Sequence, residues 1–286
     1  HLLGPALALT LSFLVGALFI ALLGKDPLEV LARFFSETLG NSYGIGQVLF
    51  KATPLMFTGL SAALCFRAGL FNIGAEGQLT IGAFLTALVG TYCGRLPAAV
   101  LIPLCCLAGM GGGALWGAIP GILKARFGAH EVINTIMMNF IAVGIVSYFI
   151  INGVGVPATV HTAEISPSAV VPRLEAFSPL FRGSPVNMSV FLAIALCVSV
   201  AYFMKHTRWG YEVRTVGLNP FAAEYGGISI KRNIILTFAA AGACSGLVGS
   251  NFVLGYKHYF ELGFSDGIGF IGIAVPRIRD FRGLPT

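Results

Sequence analysis

Residues 97–120 read PAAVLIPLCCLAGMGGGALWGAIP, a run without a single charged side chain. A helix needs about 20 mostly apolar residues to cross a bilayer, and lipid leaves unpaired backbone groups without partners. The run therefore predicts a membrane-spanning helix. Six more runs of this kind occur, and an eighth begins near residue 264 without being completed: 2–23, 46–66, 70–92, 132–152, 187–204 and 233–255. The predicted fold is an all-α, polytopic transmembrane helical bundle with about seven spans plus an incomplete eighth.

The composition excludes a soluble enzyme or a nucleic-acid-binding module. Of the 286 residues, 56% are hydrophobic and 10% are charged, and the mean hydropathy is +0.84. Soluble domains carry about 25% charged residues, so this chain has too few charges to cover a water-facing surface. The formal net charge of +6 resides mostly in short loops, where Lys and Arg mark the cytoplasmic ends of membrane helices.

The basic residues predict the topology. Residues 205–232 form the densest cluster and are predicted to be cytoplasmic, together with Arg67, Lys124 and Arg126. The proline-rich loop 153–186 then lies outside, and the N-terminus lies inside. Between the first two apolar runs, residues 24–45 place Leu28, Leu31, Phe35 and Leu39 near one side, which predicts a short interfacial helix.

Small residues recur at helical spacing in two of the apolar runs. Gly109, Gly113 and Gly117 follow one another every four residues, as do Gly242, Gly246 and Ser250. Such stripes let two membrane helices approach closely. We therefore predict that these two helices pack through their glycines. In the alternative, the glycines only reflect the high frequency of this residue in membrane helices.

The motifs of soluble enzymes are missing. The sequence contains no G-x-x-x-x-G-K-[ST] phosphate loop and no H-E-x-x-H zinc motif, and its six cysteines have no metal-ligand spacing. A G-x-G-x-x-G match at Gly267, Gly269 and Gly272 has no strand before it. The sequence predicts no catalytic residue, no metal site and no cofactor.

The stretch FNIGAEGQ (71–78) places Asn72, Glu76 and Gln78 between two apolar runs. Ionisable residues at membrane depth are costly and usually face a pathway or a partner. Gly74 and Gly77 allow the helix to unwind there, and broken helices expose backbone groups that bind polar substrates. We predict that these three polar residues line a substrate pathway. In the alternative, Glu76 accepts hydrogen bonds from backbone N–H groups and only stabilises the fold.

Two further asparagines lie within the fifth apolar run. Asn134 and Asn139 are polar positions in a helix that otherwise reads as lipid-embedded. We add Asn134 to the predicted pathway, while the more frequent role of such residues is to hold helices together.

The cytoplasmic loop contains signals for one short helix. Asn219 suits an N-cap and Pro220 the first helical position. Gly226 or Gly227 can close the helix in the left-handed conformation. The result is a helix of about two turns along the cytoplasmic surface, either a docking element or a plain connector.

Three long segments together resemble a known family. They are FRAGLFNIGAEGQLTIGAF (66–84), GAIPGILKARFGAHEVINTIMMNFIA (117–142) and TRWGYEVRTVGLNPFAAEYGGI (207–228). They are similar to the membrane permease subunits of bacterial ABC importers for branched-chain amino acids, ribose and nucleosides, and most of all to the nucleoside and simple-sugar permeases. The resemblance extends from about residue 40 to Val275.

The resemblance implies a type II-like ABC importer permease, which acts as a homo- or heterodimer in the bacterial plasma membrane. An ABC ATPase subunit would hydrolyse ATP and dock on the short helix, and an extracellular lipoprotein would deliver the substrate. The residues that the resemblance assigns to ATPase coupling are Asn219, Pro220, Ala222, Ala223 and Gly226.

The C-terminal residues depart from the family pattern. Relatives continue with apolar sequence after Val275, whereas residues 276–286 read PRIRDFRGLPT. We interpret 1–275 as the transmembrane permease domain and 276–286 as an atypical polar tail that marks a truncation or frameshift. The expected function is nucleoside import. The alternatives are import of ribose- or galactose-type sugars, an ion-coupled secondary transporter with Glu76 as the relay, and a non-functional copy.

Overall fold

A computed structural model describes residues 3–276. Residues 277–286, and with them nearly all of the predicted polar tail, lie outside the described residues. The α-helices are α1 (Leu3–Leu22), α2 (Pro27–Leu39), α3 (Ser42–Arg67), α4 (Ala75–Tyr92), α5 (Ala98–Phe127), α6 (Glu131–Phe149), α7 (Ser189–His206), α8 (Arg208–Leu218), α9 (Pro220–Tyr225), α10 (Ile230–Gly246) and α11 (Ile268–Ile271). Two π-helical segments, Ile150–Val154 and Ser250–Lys257, extend α6 and α10. No strand forms within residues 3–276, which confirms the all-α prediction.

Five of the described helices are long and apolar enough to cross a membrane. They are α3, α5, α7, α6 with its π-helical continuation, and α10 with its own. A sixth results if α1 and α2, which meet at a bend of 116°, count as one broken span. The helical bundle is thus confirmed, whereas the predicted number of seven spans is not established. One predicted span that is not among these helices is the run 70–92. The helix in this run, α4, begins only at Ala75.

The glycine stripes lie where helices α4, α5 and α10 meet. A Cβ on Gly113 would collide with the carbonyl oxygen of Gly242, and one on Gly109 would lie 2.9 Å from the carbonyl oxygen of Gly246. Gly82 of α4 closes this junction against Gly246. The predicted close packing of the two stripes is confirmed. Ser250 differs, because its hydroxyl donates to the carbonyl oxygen of Leu247, three residues earlier in the chain, at 2.7 Å.

The loop 153–186 is tied to the end of the bundle rather than projecting from it. The amides of Thr162, Ile165 and Val171 donate to the carbonyl oxygens of Phe260 (2.9 Å), His258 (2.8 Å) and Leu254 (2.9 Å). Three short 3₁₀ turns, Pro167–Ala169, Leu174–Ala176 and Pro179–Phe181, fold the loop back on itself. The predicted helix between residues 24 and 45 forms as α2, with Asp26 as its N-cap and no buried residue.

Candidate functional site

The polypeptide leaves helical geometry between α3 and α4, and this helix break contains the polar stretch. Helix α3 ends at Arg67, and the Leu70 amide donates back to the Cys65 carbonyl at 2.9 Å. Gly69 turns the chain with a φ of +68°, a conformation that side chains with a Cβ rarely adopt. Helix α4 starts after Gly74, so the unwinding that the sequence predicts near Gly74 occurs, while Gly77 is helical.

Asn72 and Gln78 meet inside this break. The Oδ1 atom of Asn72 accepts hydrogen bonds from the Gly74 amide (2.9 Å) and from Nε2 of Gln78 (3.3 Å). Its Nδ2 atom donates to Oε1 of Gln78 at 3.1 Å. Both side chains are only 1% exposed. At membrane depth a polar group without a partner costs several kcal/mol, so this mutual pairing holds the break closed in the present conformation.

Helix α3 contributes the Ser61 hydroxyl, to which Nδ2 of Asn72 also donates at 3.4 Å, and helix α6 supplies further partners of the break. Oδ1 of Asn139 accepts from the Gly77 amide (2.8 Å), and its Nδ2 donates to the Ile73 carbonyl (3.0 Å). The Thr135 hydroxyl accepts from the Ile73 amide at 3.3 Å. Asn139 thus joins two helices, the alternative role considered for it. Thr135 was missed, although its spacing of four residues from Asn139 places both on one face of α6.

Asn134, the fourth predicted pathway residue, lies outside this cluster. Its side chain is half-buried, and its Nδ2 atom is buried without a hydrogen-bond partner among the described residues. It directly precedes Thr135 on α6, and its side-chain amide donates to no group within residues 3–276.

Glu76 lies in the first turn of α4, where the positive end of the helix dipole favours a carboxylate. One carboxylate oxygen accepts from the Ser265 hydroxyl and the other from the Gly269 amide at 2.8 Å. Its partners therefore belong to the segment around α11, 189 and 193 residues further along the chain. Glu76 holds this returning segment against the N-terminus of α4.

The short helix predicted after Asn219 forms as α9. Oδ1 of Asn219 accepts from the Ala222 amide at 3.1 Å, and Pro220 occupies the first helical position. Gly227, with a φ of +78°, takes the left-handed position, and Gly226 does not. Ala223 is buried and Ala222 exposed, while the aromatic side chains of Phe221 and Tyr225 are 83% and 98% exposed.

Helix α8, which precedes α9, was not predicted. The sequence predicts a basic loop here, whereas the helix forms with Val213 and Val216 buried on one face. The Asn233 amide donates to the Glu212 carboxylate at 3.1 Å and Arg208 donates to it at 3.0 Å. These hydrogen bonds hold the pKa of the Glu212 carboxyl below its usual value. Together they attach α8 to the start of α10.

The end of α8 contacts the beginning of the helix break. A Cβ on Gly217 would collide with the Arg67 carbonyl oxygen, and one on Gly69 would come within 3.2 Å of the Gly217 carbonyl oxygen. Backbone therefore packs directly on backbone here. The exposed helix α9 and the polar cluster of Asn72 are connected through a rigid contact with no flexible side chain in between.

Within residues 3–276, no group of three or more His, Cys, Asp or Glu side chains is placed to hold a metal ion. Gly267, Gly269 and Gly272 of the G-x-G-x-x-G match flank or belong to the four-residue helix α11, and Gly269 packs on Glu76.

Comparison with known proteins gives consistent results. The guanosine ABC transporter permease protein NupP of Bacillus subtilis is 37% identical over 96% of this chain and 78% of its own length. The nucleoside ABC transporter permease protein NupB of Lactococcus lactis is 38% identical over 95% of this chain and 76% of its own length. The glucose ABC transporter permease protein TsgB13 of Haloferax volcanii is 34% identical, with 95% and 73% covered.

No solved structure matches the chain significantly. A family model described as the branched-chain amino acid transport system / permease component matches residues 44–276. This range begins in α3 and includes the helix break, the α5–α10 junction and α9. The chain is therefore a multi-pass membrane protein that belongs to the family of branched-chain amino acid transport system permease components.

Proposed function

We propose that the chain is the permease subunit of an ATP-driven importer for nucleosides in the bacterial plasma membrane. The observation that carries this proposal is the similarity to two nucleoside permeases along nearly the whole chain, at 37% and 38% identity. Permease components are not enzymes, and ATP hydrolysis belongs to a separate subunit of the transporter complex. The proposed complex contains two permease subunits, ABC ATPase subunits and an extracellular substrate-binding lipoprotein.

Import of simple sugars is the second candidate, because a glucose permease is 34% identical over a similar share of the chain. Nucleosides and sugars both present ring hydroxyl groups, which amide side chains bind equally well. The asparagine and glutamine side chains of the break therefore suit both substrate classes.

The proposed mechanism starts at α9. Phe221 and Tyr225 offer an exposed aromatic surface to the ATPase subunit. Closure of the ATPase pair would displace α9 and, with it, α8. Because Gly217 packs on the Arg67 carbonyl, the displacement would reach the start of the helix break without being absorbed by a side chain. The coupling role of Asn219, Pro220, Ala222, Ala223 and Gly226 is to form this helix and position it.

The proposed pathway residues change partners when the break opens. Asn72 and Gln78 bind each other in the present conformation, and movement of residues 68–74 would release their amides to substrate hydroxyl groups. Asn134 already has an amide nitrogen without a partner among the described residues. Glu76 keeps the α11 segment in place. These roles, and the extent of the transmembrane domain over residues 1–275, are part of the proposal.

Competition for uptake tests the substrate class. Cells that contain the permease, its ATPase and its receptor would take up labelled guanosine in the presence of excess inosine, ribose or glucose. We expect inosine to reduce uptake and the two sugars to leave it unchanged. Uptake of labelled glucose or ribose without uptake of guanosine would replace the nucleoside proposal by the sugar candidate. Failure of all labelled substrates in an assembled complex would favour a non-functional copy.

A further inference from the structure

A surface groove of about 450 Å³ lies along α10, between this helix and α5. Its wall is apolar and consists of Leu236, Ala239, Ala240 and Ala243 of α10 and Ala114 of α5. Trp209 and Arg232 line the end near the start of α10. None of the functions assigned above uses this groove, and neither Gly217 nor Arg67 lines it.

The length and chemistry of the groove fit a fatty acyl chain. From Arg232 to Ala243 the helix rises about 16 Å at 1.5 Å per residue. Half of the hydrocarbon core of a bilayer is about 15 Å thick, so the groove has the depth of one leaflet. Its alanine methyl groups offer no hydrogen-bonding atom, and their small size leaves the space that a larger side chain would fill.

The end of the groove near Arg232 is positively charged. The Arg232 guanidinium is exposed and donates no hydrogen bond to any residue in the described part of the chain. Lys231 beside it is exposed as well. The neighbouring carboxylate, Glu212, accepts hydrogen bonds from Asn233 and Arg208, and the charge of Arg232 also helps to lower its pKa. The exposed N–H groups of Arg232 are not donated to Glu212 and remain open to an external anion, and guanidinium groups bind phosphate particularly well.

Trp209 adds an independent observation. Its indole nitrogen is buried and has no acceptor among the described residues, although buried indole N–H groups usually have one. Tryptophan is typical of the membrane interface, at the level of the lipid headgroups. An ester or phosphate oxygen in the groove would supply the missing acceptor if the ring turned its N–H toward the groove.

We propose that this groove binds an anionic phospholipid of the cytoplasmic leaflet. One acyl chain lies along the alanine wall, and the phosphate binds at Arg232 and Trp209. Because Trp209 belongs to α8 and Arg232 to α10, the lipid connects the helix that carries α9 to the core of the bundle. Anionic lipid thus has two roles: it surrounds the protein as solvent, and it takes part in the coupling that is proposed above for α9.

Native mass spectrometry of the purified transporter complex in detergent tests the proposal without requiring transport. Palmitoyl-oleoyl phosphatidylglycerol, phosphatidylcholine with the same chains and inorganic phosphate are titrated separately. We expect phosphatidylglycerol to bind, phosphatidylcholine to bind much more weakly, and inorganic phosphate alone not to bind. Arg232→Gln should weaken phosphatidylglycerol binding by about tenfold, as expected for loss of a charge-assisted hydrogen bond. Lys205→Gln removes the same charge from the same cytoplasmic loop, outside the groove, and should change nothing.

A second pair of variants tests the acyl-chain wall. Ala243→Leu fills the groove and should displace the lipid, whereas Ala195→Leu, at an exposed position of α7, should not. Equal binding of the two lipids, or unchanged binding in Arg232→Gln, would overturn the proposal. A photoreactive residue at Ala240 that cross-links to another protein subunit, and not to lipid, would assign the groove to a protein interface and overturn it as well.

Discussion

Asn72 connects the two sides of the helix break through one amide group. Its oxygen accepts from Gly74 and Gln78, and its nitrogen donates to Gln78. The surrounding lipid could not replace these partners. The side chain that was selected as a pathway residue is therefore also the one that stabilises the break in the present conformation, and the two roles exclude each other at any one moment.

Replacing Asn72 should destabilise the protein. Asn72→Ala leaves the Gly74 amide and both amide atoms of Gln78 without their partner, which costs about 1–3 kcal/mol for each group that stays buried and unpaired. The apparent melting temperature of the purified protein in detergent should fall. Asn152→Ala is the control, because this exposed side chain binds only the Tyr148 carbonyl within its own helical turn. Equal shifts in the two variants would contradict the structural role.

Substitutions of Glu76 separate a structural acceptor from an ion relay. Glutamine keeps a carbonyl oxygen that can accept from Gly269, whereas alanine keeps no acceptor. We expect Glu76→Gln to retain most of the initial rate of ATP-driven uptake and Glu76→Ala to lose it. A proton or sodium relay needs the titratable carboxylate, so it would fail in both variants. Glu29→Gln, on the exposed helix α2, controls for loss of a negative charge.

Helices α5 and α10 pack through direct backbone contact. Gly109 and Gly113 face Gly246 and Gly242, so the two backbones touch. Membrane helices gain little free energy from burying apolar surface against one another, because lipid is equally apolar. Close van der Waals contact stabilises their association instead. A single methyl group added at this junction would therefore push the two helices apart.

Two glycines on the same helix provide a matched test. Gly113→Ala places a methyl group against the Gly242 carbonyl, and overpacking of this kind costs about 1–3 kcal/mol. Gly111→Ala meets nothing within 4 Å, and alanine is more stable than glycine in a helix by about 0.5–1 kcal/mol. The melting temperature should fall in the first variant and rise slightly in the second. Shifts of the same sign would contradict the packing account.

Helix α9 has only six residues, so its cap matters more than in a long helix. Asn219→Ala removes the bond to the Ala222 amide and costs about 1 kcal/mol. We expect less ATPase subunit to co-purify with this variant while its melting temperature stays close to that of the unmodified protein. Ser229→Ala, which removes the cap of α10 instead, should leave ATPase co-purification unchanged. Undiminished co-purification in Asn219→Ala would count against docking at α9.

At the scale of the whole molecule, the features that could be predicted from the sequence are those that depend on local sequence patterns. Long apolar runs placed α3, α6, α7 and α10, the last with its π-helical continuation, to within a few residues, since the hydrocarbon core requires helices of that length. Helix α5 continues to Phe127, beyond the predicted end at residue 120. The glycine stripes predicted the face through which α5 and α10 pack. The cap and the proline at residues 219 and 220 predicted α9, because these residues act on their immediate neighbours.

The remaining features depend on contacts between distant residues. Hydropathy continues through residues 70–74, so it could not show that α4 begins only at Ala75. The partners of Glu76 are almost two hundred residues away and have no local signal. Helix α8 could not be predicted for a different reason. Its basic residues indicate topology, and the only helical signal is the spacing of the buried residues Val213 and Val216.

These contacts define a continuous route across the molecule. Helix α9 follows α8, Gly217 of α8 contacts Arg67 and Gly69 at the break, and the break is bound to α6 through Asn139 and to the α11 segment through Glu76. Movement of α9 can therefore reach the polar cluster inside the bundle. The energy source that drives this movement distinguishes an ATP-driven importer from an ion-coupled transporter.

Reconstituted transport tests this central claim most directly. The permease, its partner subunits and its receptor are placed in proteoliposomes, and accumulation of labelled guanosine is measured with ATP or a non-hydrolysable analogue, each with and without a sodium or proton gradient. The account predicts accumulation that requires hydrolysable ATP and does not change when the ion gradients are collapsed. Accumulation driven by an ion gradient in the absence of ATP would contradict it.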